Sequence, residues 1–505
     1  MACSGVFPLP PLSAAPPGLT RPPVPPCPKF ALRSWLYVLL HAAVAAPAAR
    51  VLPKPAAFRL VKAALALASA ASELWLCRAA ERRLGAGAGR ATGLLLLGSA
   101  GMFFAAPTFL PGTFTMVCVT AAAAAVLDGR PAAVVALSAA GVLVGWAVAA
   151  VAVLPFAAWV LLSAPLGRAL GWAAAAALAL GAASVAADSA FYGRPTSSVT
   201  NFLRYNVVGG GDSALYGIEG PWFYLHNGLL NLNVVLPLGL LPLSWPLYGA
   251  AKWDLLACVA PCAVWTAAIS ALPHKEERFL YVAYPLFCLA AASWICRLPA
   301  LLTPAGFGRA GRALKGLFVA AALLLSAARA AAVLRNYRAP GLVFAALPEA
   351  PPAGAGAGAG VTVCVGGEWF EFPSSFYLPS PRHRLAFVRS GFDGLLPFPF
   401  DTAPSDAPAY FNDRNRAAPG QVADAAACDF LVGLLRPGQA RLQAFADNPA
   451  LGDPAGWEVL RSEPYLDAGA SHPLLRALYV PFGDAAGAGK LVYGAYVLLG
   501  RRKKG

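Results

Sequence analysis

Apolar runs of 15 to 24 residues recur along the first two thirds of the chain, at 31–48, 56–79, 92–110, 113–127, 131–150, 151–165, 170–188, 228–250, 254–272, 279–296 and 315–334. About 20 such residues in a helix cross a hydrocarbon core. Several runs, such as those around Pro107, Pro111 and Pro155, are too short or too broken to span alone. The pattern predicts about nine or ten membrane segments, some of them re-entrant. The alanine runs Ala121–Ala125 and Ala173–Ala177 read as compositional bias rather than packing design. Between 189 and 227 the chain turns polar and aromatic, in a connection longer than structureless loops usually run. Its Gly209-Gly210-Gly211 run reads as a flexible turn, because no Lys-Ser/Thr follows it and no strand precedes it.

Past Arg335 the pattern changes. Residues 336–360 read as an Ala/Gly linker, and 361–500 as a small α/β or α+β soluble domain. VTVCVGG, CDFLVGLL and KLVYGAYVLL are its predicted strands, with PFPFDTAP and NDRNR as loops. Residues 1–29 form a Pro-rich leader without the basic and apolar regions of a signal peptide, 30–335 the membrane domain, and 501–505 a basic tail.

Composition agrees: 58% of the 505 residues are hydrophobic and 12% are charged, about half the charged share of a soluble domain. The class is an integral membrane protein of the helical-bundle type. A net charge of +15 reports loop topology more than partners, and no basic stripe carries the interleaved aromatics of a nucleic-acid surface. The basic stretches Arg78 to Arg90 and Arg297 to Lys315 should face the cytosol. Residues 274–279, one span earlier, and the C-terminal domain, one span later, should then face the lumen. That topology argues against reading the Arg501–Lys504 tail as a cytosolic retrieval signal. Of ten cysteines none forms a CxxC pair; Cys77, Cys118, Cys258 and Cys288 read as core residues. Cys364 and Cys428 could pair if their domain is lumenal.

The candidate chemistry centres on His274-Lys275-Glu276-Glu277-Arg278-Phe279, five ionisable groups between the apolar runs Leu255–Leu272 and Phe279–Cys296. Such a cluster needs a membrane face or a polar cavity. Its bland reading is a solvated helix start with internal ion pairs; its functional reading is an anion site. A second cluster holds Tyr216, Glu219, Trp222, Tyr224, His226 and Asn227. These types stack on sugars and bind hydroxyls, and an interfacial aromatic belt is the alternative for Trp222 and Tyr224. Arg33 and His41 read as helix-end anchors, and Asp188 as a boundary residue.

ALPHKEERFLYVAYPLFCL resembles the HKEERF signature of glycosyltransferase family 22, in the form carried by its ER α-1,2-mannosyltransferases. FALRSWLYVLLHA (30–42), LYGIEGPWFYLHNGLLNLNVV (215–235), VCVGGEWFEFPSSFYLP (363–379) and SEPYLDAGASHPLLRALYVPF (462–482) resemble further segments of that family, in order. The resemblance implies a GT-C-type polytopic α-helical fold with a small C-terminal α/β lumenal domain, in the ER membrane. It implies mannosyl transfer from dolichyl-phosphate mannose to a dolichyl-diphosphate-linked glycan in N-glycan precursor assembly, with inversion at the sugar. The reaction calls for a carboxylate base and a cationic seat for the leaving phosphate. His274, Lys275 and Arg278 suit the second role; Glu276 and Glu277 would orient them or bind sugar hydroxyls; Glu219, Trp222, Tyr224 and Asn227 would bind glycan. No cofactor, metal or nucleic acid is expected.

The family carries its catalytic acid in the first lumenal loop. This chain's first aspartate is Asp128, and only Glu73 and Glu81 precede it. Two readings follow, an incomplete or mis-spliced N-terminus or an inactive homologue, and the intact later segments favour the first. As the residues stand, binding without catalysis is expected. Other classes are a sister enzyme of the α-1,6 branch or the glycosylphosphatidylinositol anchor, and a transporter. The double Glu of HKEERF and the VCVGGEW block argue against the sister enzymes, and the lack of inverted repeats against the transporter.

Overall fold

A computed structural model describes residues 31–208, 217–240, 242–349, 360–390, 392, 394, 396–397, 415–416, 421–437, 456–481 and 490–502. The Pro-rich leader, the triple-glycine run, Tyr216, residues 350–359 of the expected linker, PFPFDTAP from 398 on and Lys503–Lys504 lie outside them. The chain divides into two compact units. One comprises Phe30–Val44 and Leu60–Ala330, the other Ala45–Arg59 and Ala331–Gly505.

Among the described residues five helices are long and apolar enough to cross a membrane: Lys54–Leu84, Leu166–Tyr192, Trp245–Ser270, Glu277–Leu302 and Gly308–Tyr337. Four shorter apolar helices accompany them, Trp35–Ala48, Pro111–Leu127, Pro131–Gly145 and Leu154–Ser163. The protein is a polytopic α-helical membrane protein with a C-terminal sheet domain. Prolines divide the apolar pattern because each fits the first turn of a helix, where no amide hydrogen is needed. Pro111, Pro131, Pro155 and Pro285 all occupy that position.

Burial separates the spans. The apolar window of Glu277–Leu302 is 89% buried, against 11% for Leu166–Tyr192 and 17% for Gly308–Tyr337. The last two leave Leu178 and Leu324 exposed at 74% and 70%, which suits lipid rather than water. Glu277–Leu302 is the enclosed central helix. Its neighbours approach through small residues: a methyl on Gly101 would lie 2.7 Å from the Tyr284 ring, and one on Gly239 3.1 Å from the Phe287 Cα. Ala122–Ala125 are fully buried, so that run is packing and not bias. Ala173–Ala175 and Ala177 are exposed.

The basic stretch read for topology also makes ion pairs. Arg82 forks onto Asp128, which also accepts from the Trp75 indole, and Arg83 pairs with Asp254, which accepts from Trp159.

In the second unit six strands form one sheet. They are β1 (Val361–Val365), β2 (His383–Val388), β3 (Val422–Ala423), β4 (Phe430–Leu435), β5 (Trp457–Leu466) and β6 (Tyr493–Arg501), in the order β3-β2-β1-β4-β6-β5. The β1, β2, β3 and β4 pairings are parallel, and β6 runs antiparallel to β4 and β5. The three strands expected from sequence are β1, β4 and β6. Residues expected as linker instead continue the helix to Tyr337 and form a short helix, Ala339–Phe344, whose Val343 and Phe344 join the core on one sheet face.

Cys364 and Cys428 are bonded within the core on the other face. Arg501, read as part of a tail, ends β6 and donates to the carbonyl oxygens of Cys428, Ala425 and Ala426. The disulfide closes a 64-residue separation, for which loop entropy gives about 4 kcal/mol. The Cys364→Ala/Cys428→Ala chain should lose stability on that order, and urea unfolding followed by β-sheet circular dichroism with and without reductant measures it.

Candidate functional site

The chain leaves the helix Lys252–Ser270 through a bend at 271–274 and enters a 3-10 turn, Glu277–Ala283, before the helix Tyr284–Leu302. The candidate site is the stretch 273–278, running from that bend into the turn, and its ionisable groups point to different tasks.

Glu276 sits between Arg278 and His274. Its Oε2 lies 2.5 Å from Arg278 Nη2 and its Oε1 3.0 Å from His274 Nε2. Burial by itself would push this carboxyl up. The Arg278 charge and the hydrogen bonds from His274 and Arg278 outweigh burial and hold it below the ordinary carboxylate range, so it is ionised at neutral pH. His274 Nδ1 lies 3.0 Å from the Gly217 carbonyl oxygen.

Lys275 is buried at 6% exposure. Its ammonium donates to the Glu219 carbonyl oxygen at 2.8 Å, and the Glu219 amide donates to the Pro273 carbonyl at 3.1 Å. With the His274–Gly217 contact, three hydrogen bonds join the 217–219 segment to the 273–275 bend. The two clusters read separately from the sequence are one surface.

Glu277 faces the other way. Asn231 Nδ2 donates to Glu277 Oε1 at 2.7 Å and to the Tyr284 hydroxyl at 3.2 Å. Asn231 is 1% exposed, and its Oδ1 is buried without a hydrogen-bond partner among the described residues. Asn231 was not among the residues singled out from the sequence; its only signal is an amide inside an apolar run, four residues after Asn227 on the helix Phe223–Leu232.

Glu219 is exposed, and its backbone makes the contacts just described. Trp222 is 65% exposed and available for stacking. Tyr224, at 1% exposure, is a core side chain. Asn227 donates to the Phe223 carbonyl of its own helix, and His226 is exposed. His41 is buried, bonded to the Tyr37 carbonyl and set edge-on against Phe109, and so packs within the helical core.

Arg33 precedes the helix Trp35–Ala48. It is half-buried; burial, then the like charge of Arg278, lower its pKa, while Tyr192, Glu276 and Tyr37 act in the opposite sense. Its backbone is fixed by its surroundings. The Arg33 carbonyl accepts from the hydroxyls of Tyr192 and Ser198, each at 2.9 Å. Next to it, the fully buried Asp188 accepts from Ser34 Oγ, the Trp35 amide at 2.6 Å, Ser184 Oγ and the Ser198 amide. Asp188 thus caps the first helix from a distant helix, a firmer role than a boundary residue.

The model of the Alg9-like mannosyltransferase family matches residues 27–379. "Alpha-1,2-mannosyltransferase ALG9" of Arabidopsis thaliana is 35% identical over 491 residues, covering 94% of this chain and 83% of that protein. The proteins of the same name from Mus musculus and Homo sapiens are 33% and 32% identical, each covering 90% of this chain and 78% of the relative.

Proposed function

The chain belongs to the Alg9-like mannosyltransferase family, and we propose that it serves mannosyl transfer from dolichyl-phosphate mannose to a dolichyl-diphosphate-linked glycan. The new bond would be an α-1,2 linkage in N-glycan precursor assembly at the ER membrane. The observation that carries this reading is the bend at 273–278. It gathers His274, Glu276 and Arg278 at the entry of the enclosed central helix, with the 217–222 segment fastened beside it.

In the proposed step an acceptor hydroxyl oxygen bonds to the mannose anomeric carbon as the bond from that carbon to the phosphate oxygen breaks. The phosphate leaves with the electron pair, and the hydroxyl proton passes to a carboxylate. Charge grows on the phosphate, so a fixed guanidinium beside it is more effective in the transition state than in the ground state. Arg278 would supply that charge, held in orientation by Glu276 and through it by His274. Trp222 would stack on the glycan, and Glu277, fixed by Asn231, would receive sugar hydroxyls. Residues 1–32 contain no Asp or Glu, so the family's first-loop acid has no counterpart there and the carboxylate of this step is not assigned to a residue. Lumenal placement is supported by the disulfide, which suits an oxidising compartment, and by the basic 297–315 stretch on the expected cytosolic side.

The test is transfer by the reconstituted chain. Supplied with dolichyl-phosphate mannose and a lipid-linked acceptor, the chain should bind both and, lacking the first-loop acid, transfer little; any mannose it adds should be removable by an α-1,2-specific mannosidase. Mannosidase-resistant product would overturn the linkage. Binding of dolichyl phosphate with no transfer would leave the donor seat standing and remove the catalytic half of the proposal.

A further inference from the structure

We propose that the segment 473–480 of the sheet domain is a lipid-surface anchor, which lays Leu474, Tyr479 and Val480 into the headgroup boundary of the leaflet where the helix Gly308–Tyr337 ends. That helix sets the depth. Arg309, Arg312 and Lys315 open it, and the run 316–334 that follows holds Arg329 as its one charge. Those 19 residues rise about 28 Å, roughly the thickness of a hydrocarbon core. Arg335, the next residue, therefore stands at the opposite headgroup level. Lipid contact runs along the helix up to it. At about 100° per residue, Leu317, Leu324 and Arg335 share one helix face, and both leucines are exposed.

The segment 473–480 is fastened at that level. The Arg335 guanidinium lies over the Tyr479 ring, 5.6 Å from its centroid. The buried Asn336 donates to the Arg476 carbonyl at 3.4 Å and accepts from the Tyr493 hydroxyl at 2.9 Å. The short helix Pro473–Ala477 buries Leu475 and Ala477 and leaves Leu474 exposed at 68%; Tyr479 and Val480 follow, exposed at 39% and 49%. A shallow cleft among Arg335, Asn336, Leu475 and Tyr479 continues the same surface. Exposed apolar side chains with a tyrosine and an arginine at the end of a span match the bilayer interface, where aromatic rings and long cationic side chains sit at headgroup level. Lipid is the occupant because this patch is continuous with a helix whose exposed leucines already require it.

The test uses the full chain in phosphatidylcholine nanodiscs, with a nitroxide attached through p-acetylphenylalanine in place of Leu474, Val480 or, as the aqueous reference, Glu458. Glu458 is exposed at the end of β5 remote from Leu466, the strand partner of Tyr493. Oxygen concentrates in lipid and a nickel chelate in water, so the ratio of their collision rates reads depth. That ratio should be severalfold higher at 474 and 480 than at 458, and should report a depth of about 5–10 Å into the headgroup boundary. Equal ratios at all three positions overturn the proposal. Few collisions with either reagent at 474 and 480 also overturn it, because a protein surface, a second copy or another chain, then covers the patch. A second variant reads the same contact without a label. Both side chains are exposed, so Leu474→Asp/Val480→Asp should fold, and amide exchange over 473–480 should speed about 10-fold in nanodiscs. Unchanged exchange there overturns the anchor.

Discussion

Arg278→Ala should weaken dolichyl phosphate binding by about 100-fold, and lower any transfer by about 10²–10³-fold, the usual effect of removing one fixed donor from a developing anion. The change takes away the group nearest Glu276, whose Oε2 it holds at 2.5 Å. It also releases the carboxyl from the charge that lowers its pKa. The lost affinity therefore has two sources, the missing phosphate contact and a carboxylate that keeps His274 beside it but no guanidinium. The double change Glu276→Gln/Arg278→Ala separates them. If repulsion from Glu276 contributes, the double variant binds more tightly than Arg278→Ala; if only the contact matters, the two are equal. Arg278→Lys should recover part of the affinity, since a point charge remains where the fork is lost. Equilibrium titration in nanodiscs reads all four chains, and an Arg278→Ala chain that binds like wild type would refute the phosphate role.

Lys275→Ala should act by a different route. From sequence the side chain is a point charge for phosphate; in the fold its ammonium is buried and donates to the Glu219 carbonyl. A hydrogen bond from a charged group contributes about 1.5–3 kcal/mol. Losing it leaves the 217–219 segment held by the Glu219–Pro273 backbone bond and the His274–Gly217 contact. Amide exchange over 217–222 should then speed by about 10- to 100-fold, the kinetic expression of local opening. Acceptor binding should fall more than donor binding, because Trp222 loses its fixed position. Unchanged exchange together with a large loss of dolichyl phosphate affinity would return Lys275 to the phosphate.

These two residues mark what could be read in advance. The bend announces itself as charge between apolar runs, and the 217–227 segment as polar aromatic sequence between membrane helices. Their union could not be seen, because two of the three bonds between them end on the carbonyl oxygens of Gly217 and Glu219, and a carbonyl has no residue type. Arg33 carries the same lesson. Its neighbourhood is set by Asp188, 155 positions away in the chain, a distance no local pattern spans. Membrane segments were legible because lipid demands continuous apolar length. Their exact division was not, because prolines that break a hydropathy run also begin helices at Pro111, Pro131 and Pro155. Ala122–Ala125 look like bias in a sequence this rich in alanine, and only their burial distinguishes them from the exposed Ala173–Ala175 and Ala177. The strands β1, β4 and β6 were visible as apolar runs. β2 and β5 were not, since their exposed residues interrupt the pattern.

The central claim, that the 273–278 bend seats the donor's lipid phosphate, is tested most directly by photolabelling. A dolichyl phosphate analogue with a diazirine beside the phosphate is bound to the full chain in nanodiscs, irradiated, and the labelled residues mapped by mass spectrometry. The account predicts label within 273–279 and on the fastened 217–222 segment, competed away by unlabelled dolichyl phosphate. Competed label confined to the C-terminal sheet domain, with none at the bend, would contradict it.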